Sequence, residues 1–496
     1  MLPWLLTFTL LSAAVALAVF LLARRRNAAG IQTSLTARTA AVGGLVSRSL
    51  RRRLALRARL LLARRHRRAE IEAAHHIQTA SEAAALMGQM KGVFMKIGQI
   101  VSFTRDSLPE EARQALGALQ QDAPPMAFHL VRDVVEGDLG APLAGHLRHI
   151  DEEPLAAASI GQVHRATALD GRPVALKVQY PGVDAAIRND LRFSQGLATL
   201  IGSFHKNADP VAMVAELKAR LEDELDYRVE ADNQRLFHRL WDGHPVIRVP
   251  RVFDDLVGQH VLGQELAEGL AFADFLAAAT ADEKRLAAMA IHDFVFDSMH
   301  LHGVFNGDPH PGNYLFHPDG GVSFLDYGCV KRFDPAFLRD VRGLTIAQVD
   351  GDHARFDELV RRLAIVLPGR PLDHDFLWDF FGYHMAPFKE DREFAFDDAY
   401  LKEAAHVMQQ KHLKKLNLPP DLIFFNRITF GLNAIFAALG ARANFHRVFR
   451  RYAYPEEDAP PALAQIGVAL PPRFLSARPD PVAAAPAPPP TAAPAL

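Results

Sequence analysis

The first pattern along the chain is an apolar run from Leu2 to Ala23, broken only by Thr7, Thr9 and Ser12 and closed by Arg24-Arg25-Arg26. Its length suits a helix that crosses a bilayer. A cleavable signal peptide is the competing reading. No cationic segment opens the run, however, and arginines, not a small-residue cleavage site, follow it. The positive charge after Ala23 predicts a single-pass N-terminal membrane anchor with the rest of the chain on the cytoplasmic side. Further on, apolar residues recur at Leu86, Met90, Val93, Phe94, Ile97 and Val101, the spacing of a helix with one buried face. Lys96, Gly98 and Gln99 lie inside that helix, and Gly98 costs it about 1 kcal/mol relative to alanine. Two β-rich runs flank Asp170-Gly171, the second being Val174-Ala-Leu-Lys-Val178, and together they predict a hairpin.

The pattern from Val211 to Phe237 predicts one long helix carrying Glu224, Asp226 and Glu230. Val246 to Val261 has strand character, Ala273 to His302 is helical, and Phe333 to about Tyr454 is helical and apolar-rich. Between them, Val304-Phe305, Tyr314-Leu-Phe316 and Val322-Ser-Phe-Leu325 read as short strands in a hairpin. Beyond Pro460 the chain turns Pro- and Ala-rich, a composition that cannot build a core and predicts a disordered tail.

With 496 residues, about half of them apolar, the chain can bury a large core and more than one structural unit. Its net charge of −1 conceals a steep asymmetry, because residues 24–68 carry fourteen arginines and no acid. Leu54, Leu56 and Leu60 to Leu62 are interleaved with those arginines, which reads as a helix lying on an anionic membrane surface. Nucleic-acid binding and a merely solvated face compete with this reading, but a preceding anchor holds the segment within reach of lipid headgroups. The single cysteine, Cys329, excludes an intramolecular disulfide and reads as a buried thiol.

Chemistry concentrates in two places. Lys177 stands in an apolar strand, where an ammonium is costly unless it meets a carboxylate or a phosphate. Asn306-Gly-Asp-Pro-His-Pro-Gly-Asn313 and Asp326-Tyr-Gly328 set Asp308 before one short strand and Asp326 after the next, so both carboxylates should meet at one end of the hairpin. A few rigid oxygen ligands suit Mg²⁺ brought in on a phosphate. Asp-x-x-x-x-Asn followed by Asp-aromatic-Gly is the order of the protein-kinase catalytic loop and metal-binding segment, and Lys177 matches the kinase Val-Ala-Ile-Lys strand. The glycine-rich phosphate loop of ordinary kinases is replaced by Ala156-Ala-Ala158, whose backbone freedom is narrower.

From about residue 80 to 450 the ensemble resembles the UbiB/AarF family of atypical protein-kinase-like proteins. The resembling motifs are Lys96-Ile-Gly-Gln99 (the family's KxGQ), the Ala-rich loop from Ala156 to His164, Lys177, Glu224-Leu-Asp226 (its ExD), Glu230, Asp308 to Asn313 and Asp326-Tyr-Gly328. Two departures stand out: the family carries histidine where this chain has Asn306, and many bacterial members place their membrane segment at the C-terminus.

The resemblance implies an α+β bilobal kinase-like fold with a helical KxGQ extension and a helical C-terminal lobe. The expected order is an anchor (1–23), a basic membrane-surface segment (24–70), the extension (71–150), an N-lobe (151–269), a C-lobe (270–456) and a disordered tail (457–496). It also implies ATP and Mg²⁺ as cofactors. Lys177 with Glu230 would hold the nucleotide phosphates, assisted by Ala157, Ala158, Ser159, Gln162 and the hinge residue Glu265. Asn313 and Asp326 would hold Mg²⁺, and Asp308 would orient the attacking group. Lys96, Gly98, Gln99, Glu224 and Asp226 would regulate the site, with Lys96 locked onto the acidic pair. The implied function is a membrane-anchored ATPase in isoprenoid-quinone or other lipid metabolism. Its implied partners are a membrane lipid or isoprenoid-quinone precursor and quinone-biosynthesis enzymes, with no nucleic acid. A lipid or small-molecule kinase and a nucleotide-binding scaffold without turnover are the alternatives, the latter disfavoured by intact Asp308 and Asp326.

Overall fold

A computed structural model describes residues 125–158, 160–191, 215, 218–219, 221–408, 417, 419–457 and 459–477. The proposed anchor, the basic segment and the KxGQ motif lie outside these residues. Among the described residues no helix is long and apolar enough to cross a membrane. The chain forms two compact units: described residues up to Ala231 together with Val252–Leu266, and Asp232–Arg251 together with Ala267 onward.

In the first unit, α1 (Phe128–Leu139) accompanies an antiparallel sheet of β1 (Leu147–Ile150), β2 (Ala156–Ala157), β3 (Gly161–Ala168), β4 (Pro173–Gln179), β6 (Val252–Val257) and β7 (Val261–Glu265), in the order β1-β3-β4-β7-β6 with β2 beside β3. The Asp170-Gly171 turn joins β3 to β4, and Gly171 takes φ +91°, a left-handed angle that glycine accepts without strain. Val131 and Val135 of α1 pack with Val174, Leu176 and Val178 of β4 and with Leu256, Val261 and Leu262. Asp138 fastens α1 to the β6–β7 turn by accepting the backbone N–H groups of His260 (2.7 Å) and Val261 (3.1 Å). A Cβ on Gly258 would lie 2.0 Å from that carboxylate, so a side chain there would have to push Asp138 off these bonds. Helix α2 spans Val183–Leu191. Since β1 pairs with β3, the sheet begins at Leu147, inside the segment expected to be the helical extension.

The long helix expected over 211–237 is interrupted. Residues 221–224 are helical, the chain turns at Leu225-Asp226, and α3 runs over Tyr227–Trp241. The cause is local: the Asp226 carboxylate accepts the Arg228 backbone N–H at 3.0 Å, and the Tyr227 N–H leaves the helix axis for the Gln259 carbonyl (2.9 Å). Aspartate in that position starts a helix better than it continues one.

The second unit contains residues 232–241 of α3, β5 (Ile247–Arg248), α4 (Phe272–Ala278), α5 (Ala281–His300), β8 (Val304–Asn306), β9 (Tyr314–Phe316), β10 (Val322–Phe324), β11 (Val330–Arg332), α6 (Pro335–Asp350), α7 (His353–Arg362), α8 (His374–His384), α9 (Ala386–Lys389), β12 (Phe394–Ala395), α10 (Asp398–Met408), α11 (Pro420–Ala438), β13 (Arg442–Ala443) and α12 (Phe445–Ala453). Thr280 and Glu283 close a reciprocal capping box at the start of α5. The core gathers Phe237, Phe294, Phe305, Phe316, Phe324 and Tyr327, all fully buried.

The tail expected from residue 457 needs correction over 459–477, which is packed: Ala462, Leu463 and Phe474 are buried. Arg451, itself 1% exposed, donates to the carbonyls of Phe474 (2.9 Å), Leu475 (2.5 Å) and Ser476 (2.8 Å). Asp293 accepts the N–H groups of Ala462 and Leu463, both at 2.9 Å. Buried charge compensates there for what the Pro/Ala-rich composition lacks.

Candidate functional site

Two clusters, one in each unit, hold the residues singled out in the sequence. In the first unit, β4 is buried from Val174 to Gln179, and Lys177 lies opposite Val163 on one neighbouring strand and Leu262 on the other. Its Nζ donates to Glu230 Oε1 at 2.5 Å, with the two residues 8% and 5% exposed. Two charges so desolvated stabilise each other strongly, and removing either takes that compensation from the one that remains.

The Ala-rich loop leads into this region. Ala156 and Ala157 pair with Val163 and Gln162, and the Ala158 N–H donates to the Gly161 carbonyl at 3.0 Å. A Cβ on Gly161 would approach the Val178 carbonyl oxygen to 2.2 Å, so glycine lets β3 and β4 close beside Lys177. Gln162 is buried and committed elsewhere: its Oε1 accepts the Met126 N–H (2.9 Å) and its Nε2 meets the His164 ring (2.8 Å). Ser159 lies outside the described residues. Glu265 ends β7, exposed, opposite Val174.

Of the regulatory residues, Lys96, Gly98 and Gln99 are outside the described residues. Asp226 is engaged by Arg228, whose guanidinium donates to both carboxylate oxygens (2.8 and 2.7 Å). Those bonds hold the Asp226 carboxyl below the usual range although partial burial pushes it up. Glu224, by contrast, is buried, so the two acids of this motif sit in different environments.

In the second unit, β9 and β10 form the expected antiparallel hairpin, with Tyr314 opposite Phe324 and Phe316 opposite Val322. Asp308 precedes β9 and Asp326 follows β10, so the two carboxylates emerge at the same end, where the Leu325 N–H donates to the Asn313 carbonyl at 3.0 Å. The loop is rigid for identifiable reasons. Pro311–Asn313 form a 3-10 turn, capped where His310 Nδ1 accepts the Gly312 N–H at 3.0 Å. Asn313 Nδ2 donates to the Asp308 carbonyl (3.1 Å) and carboxylate (3.3 Å), which leaves its Oδ1 as the atom suited to a cation. Asp326 Oδ1 accepts the Gly328 N–H at 2.9 Å. A hard-oxygen set of one amide and one carboxylate fits Mg²⁺ completed by water and phosphate oxygens, and no all-protein group of three or more His, Cys, Asp or Glu ligands occurs among the described residues.

The residue whose role sequence reasoning missed is Asn306. Buried at the end of β8, it donates from Nδ2 to the Asp326 carbonyl (2.6 Å), and its Oδ1 accepts the Asp308 N–H (3.4 Å). The Gly307 N–H adds a bond to the Cys329 carbonyl at 2.6 Å. One side chain thus couples the two loops. Behind them the aromatic of Asp-Tyr-Gly, Tyr327, is fully buried against Phe237, and Asn233 Nδ2 donates to its carbonyl at 3.2 Å. Burial, reinforced by the Asp308 charge, drives the Tyr314 phenol far up, so it stays neutral.

Known proteins resemble this chain across both clusters. The ABC1 atypical kinase-like domain matches residues 118–360, a span holding both clusters, and the chain belongs to this family. A Synechocystis protein of unassigned role is 30% identical over 301 residues, covering 58% of this chain and 74% of its own. A Marinobacter nauticus protein named "Probable protein kinase UbiB" is 34% identical over 252 residues, 49% of this chain and 46% of that one. The chain therefore spans less than half the length of that named relative. Among solved structures, Rv3197 of Mycobacterium tuberculosis, in a complex with erythromycin, has a TM-score of 0.58 at 29% identity, covering 78% of this chain and 98% of that one.

Proposed function

We propose that this protein is a Mg-ATP-dependent atypical kinase or ATPase supporting isoprenoid-quinone metabolism at a membrane. The observation that carries the reading is the end of the β9–β10 hairpin, where Asp308, Asn313 and Asp326 are held by one hydrogen-bonded network. Binding alone needs no such oriented base, which favours turnover over a scaffold role. Lys177, paired with Glu230, supplies positive charge for the nucleotide phosphates. Mg²⁺ supplies charge neutralisation on phosphate oxygens when bound. Asn313 and Asp326 are the residues that would hold it, and Asp308 orients the attacking hydroxyl or water through its carboxylate.

The quinone assignment is supported by family membership and by the relatives named UbiB. The apolar N-terminal run and the arginine-rich segment support a membrane location. Quinone profiling of a strain lacking the protein, complemented with wild type or with Asp308→Asn, tests the whole reading. Depleted quinone with an accumulated precursor, rescued by wild type alone, is the expected result. A normal quinone profile in the deletion strain would remove the metabolic assignment while leaving the nucleotide chemistry to be judged by phosphate release.

A further inference from the structure

Away from the nucleotide residues, α7 and α8 each begin with a histidine, His353 and His374. His374 Nδ1 lies 2.6 Å from Asp357 Oδ1, and its Nε2 lies 2.9 Å from His353 Nδ1. The proton positions follow from chemistry. An ionised carboxylate only accepts, so His374 carries its proton on Nδ1 and, as a neutral imidazole, presents a lone pair at Nε2. That lone pair and His353 Nδ1 point at one another across the gap between the two helix starts. Trp378, one turn after His374, stacks on the His353 ring at 3.9 Å, and Phe356 packs edge-on to His374. Each ring is therefore packed against an aromatic neighbour, Trp378 from α8 on His353 and Phe356 from α7 on His374.

We infer that His353 and His374 form a binding site for a borderline divalent transition ion, Zn²⁺ above all, with Asp357 as the outer carboxylate that orients His374. A carboxylate on the far nitrogen of a ligating imidazole is the usual support of such ligands. Zinc–imidazole bonds of about 2.0–2.1 Å put two nitrogens of a tetrahedral ion roughly 3.3 Å apart, with both lone pairs converging on a point off the line between them, so the rings must part by a few tenths of an ångström and turn toward that point to admit the ion. His353, an exposed residue, moves its proton to Nε2, and the charge of the pair need not change. No group of three or more His, Cys, Asp or Glu ligands occurs among the described residues. Two positions are thus left for water or an outside ligand, and the site is open. Imidazole nitrogen favours zinc, copper and nickel over the Mg²⁺ that suits the oxygen ligands of the nucleotide residues, so the two metals would not compete. The ion ties the first turn of α7 to that of α8.

Calorimetric titration of the full-length, metal-stripped protein with ZnCl₂ tests this, set beside the His353→Gln/His374→Gln and Asp357→Asn variants. The expected result is one saturable equivalent that the double variant loses and that Asp357→Asn weakens about tenfold to a hundredfold, together with a zinc-dependent rise in melting temperature seen only where binding survives. Exposed His353 can be changed alone if the double variant folds poorly. Unchanged zinc uptake in His353→Gln, or no saturable binding by wild type, would overturn the site and leave the imidazole pair as an ordinary hydrogen bond.

Discussion

Asn306 donates to the Asp326 carbonyl at 2.6 Å and accepts the Asp308 N–H, so the loop bearing the proposed base and the loop bearing the proposed metal ligand are fixed by one amide. At this position the chain carries a group able to donate and accept at once.

Asn306→Ala leaves a buried carbonyl and an N–H without that partner, a loss of about 1–3 kcal/mol. Asn306→Asp should be worse, since it opposes an anion to the Asp326 carbonyl. Thermal melts with phosphate-release assays check this. Turnover is expected to fall more than nucleotide affinity, because Lys177 is untouched.

Lys177→Met should cost roughly 3–5 kcal/mol by removing the positive charge that compensates the buried Glu230 carboxylate. Lys177→Met combined with Glu230→Leu should regain most of that stability without regaining nucleotide binding. Urea denaturation and ATP titration on the same samples separate the two effects.

The second unit should weaken in acid through His244. The residue is 7% exposed, and its Nδ1 accepts the N–H groups of Val246 (3.3 Å) and Ile247 (3.0 Å), so protonation there would break both bonds. Burial lowers its pKa from 6.5 to about 4. The unfolded chain takes up this proton below pH 6.5 and the folded chain does not, so stability is complete above 6.5 and drains as pH falls toward 4. The loss is on the order of 2 kcal/mol at pH 5. Denaturation midpoints at pH 7 and pH 5 should differ less in His244→Asn than in wild type.

Arg451→Met should free residues 459–477. Burial pushes the Asp297 carboxyl up, against the pull of the Arg451 guanidinium. Losing Arg451 takes from Asp297 its charged partner, leaving it the Tyr452 hydroxyl at 2.8 Å, and removes the donor to the carbonyls of Ala459, Phe474, Leu475 and Ser476, at roughly 3–5 kcal/mol. Limited proteolysis should cut near the C-terminus in the variant and spare wild type.

The pairing of Lys177 was legible because an ammonium in an apolar strand demands a partner, and the meeting of Asp308, Asn313 and Asp326 at one hairpin end was legible because they flank two short strands. The break at Leu225-Asp226 was not, since aspartate serves equally on a helix surface and at a helix start until Gln259 shows where the Tyr227 N–H goes. The packing of 459–477 was hidden for a different reason. Its anchors, Asp293 and Asp297, lie on α5, far away in sequence. Asn306 read as a substitution in a motif because its two bonds exist only once β8 pairs with β11.

The most direct test is a thermal-shift titration with Mg-ATP on wild type and Asp326→Asn. Wild type should be stabilised progressively, and the variant, having lost a full charge from the metal-binding set, should bind more weakly by on the order of a few kcal/mol. Equal Mg-ATP-dependent stabilisation of the two proteins would contradict the assignment of Asp326 as a metal ligand and, with it, the kinase-like chemistry proposed for this chain.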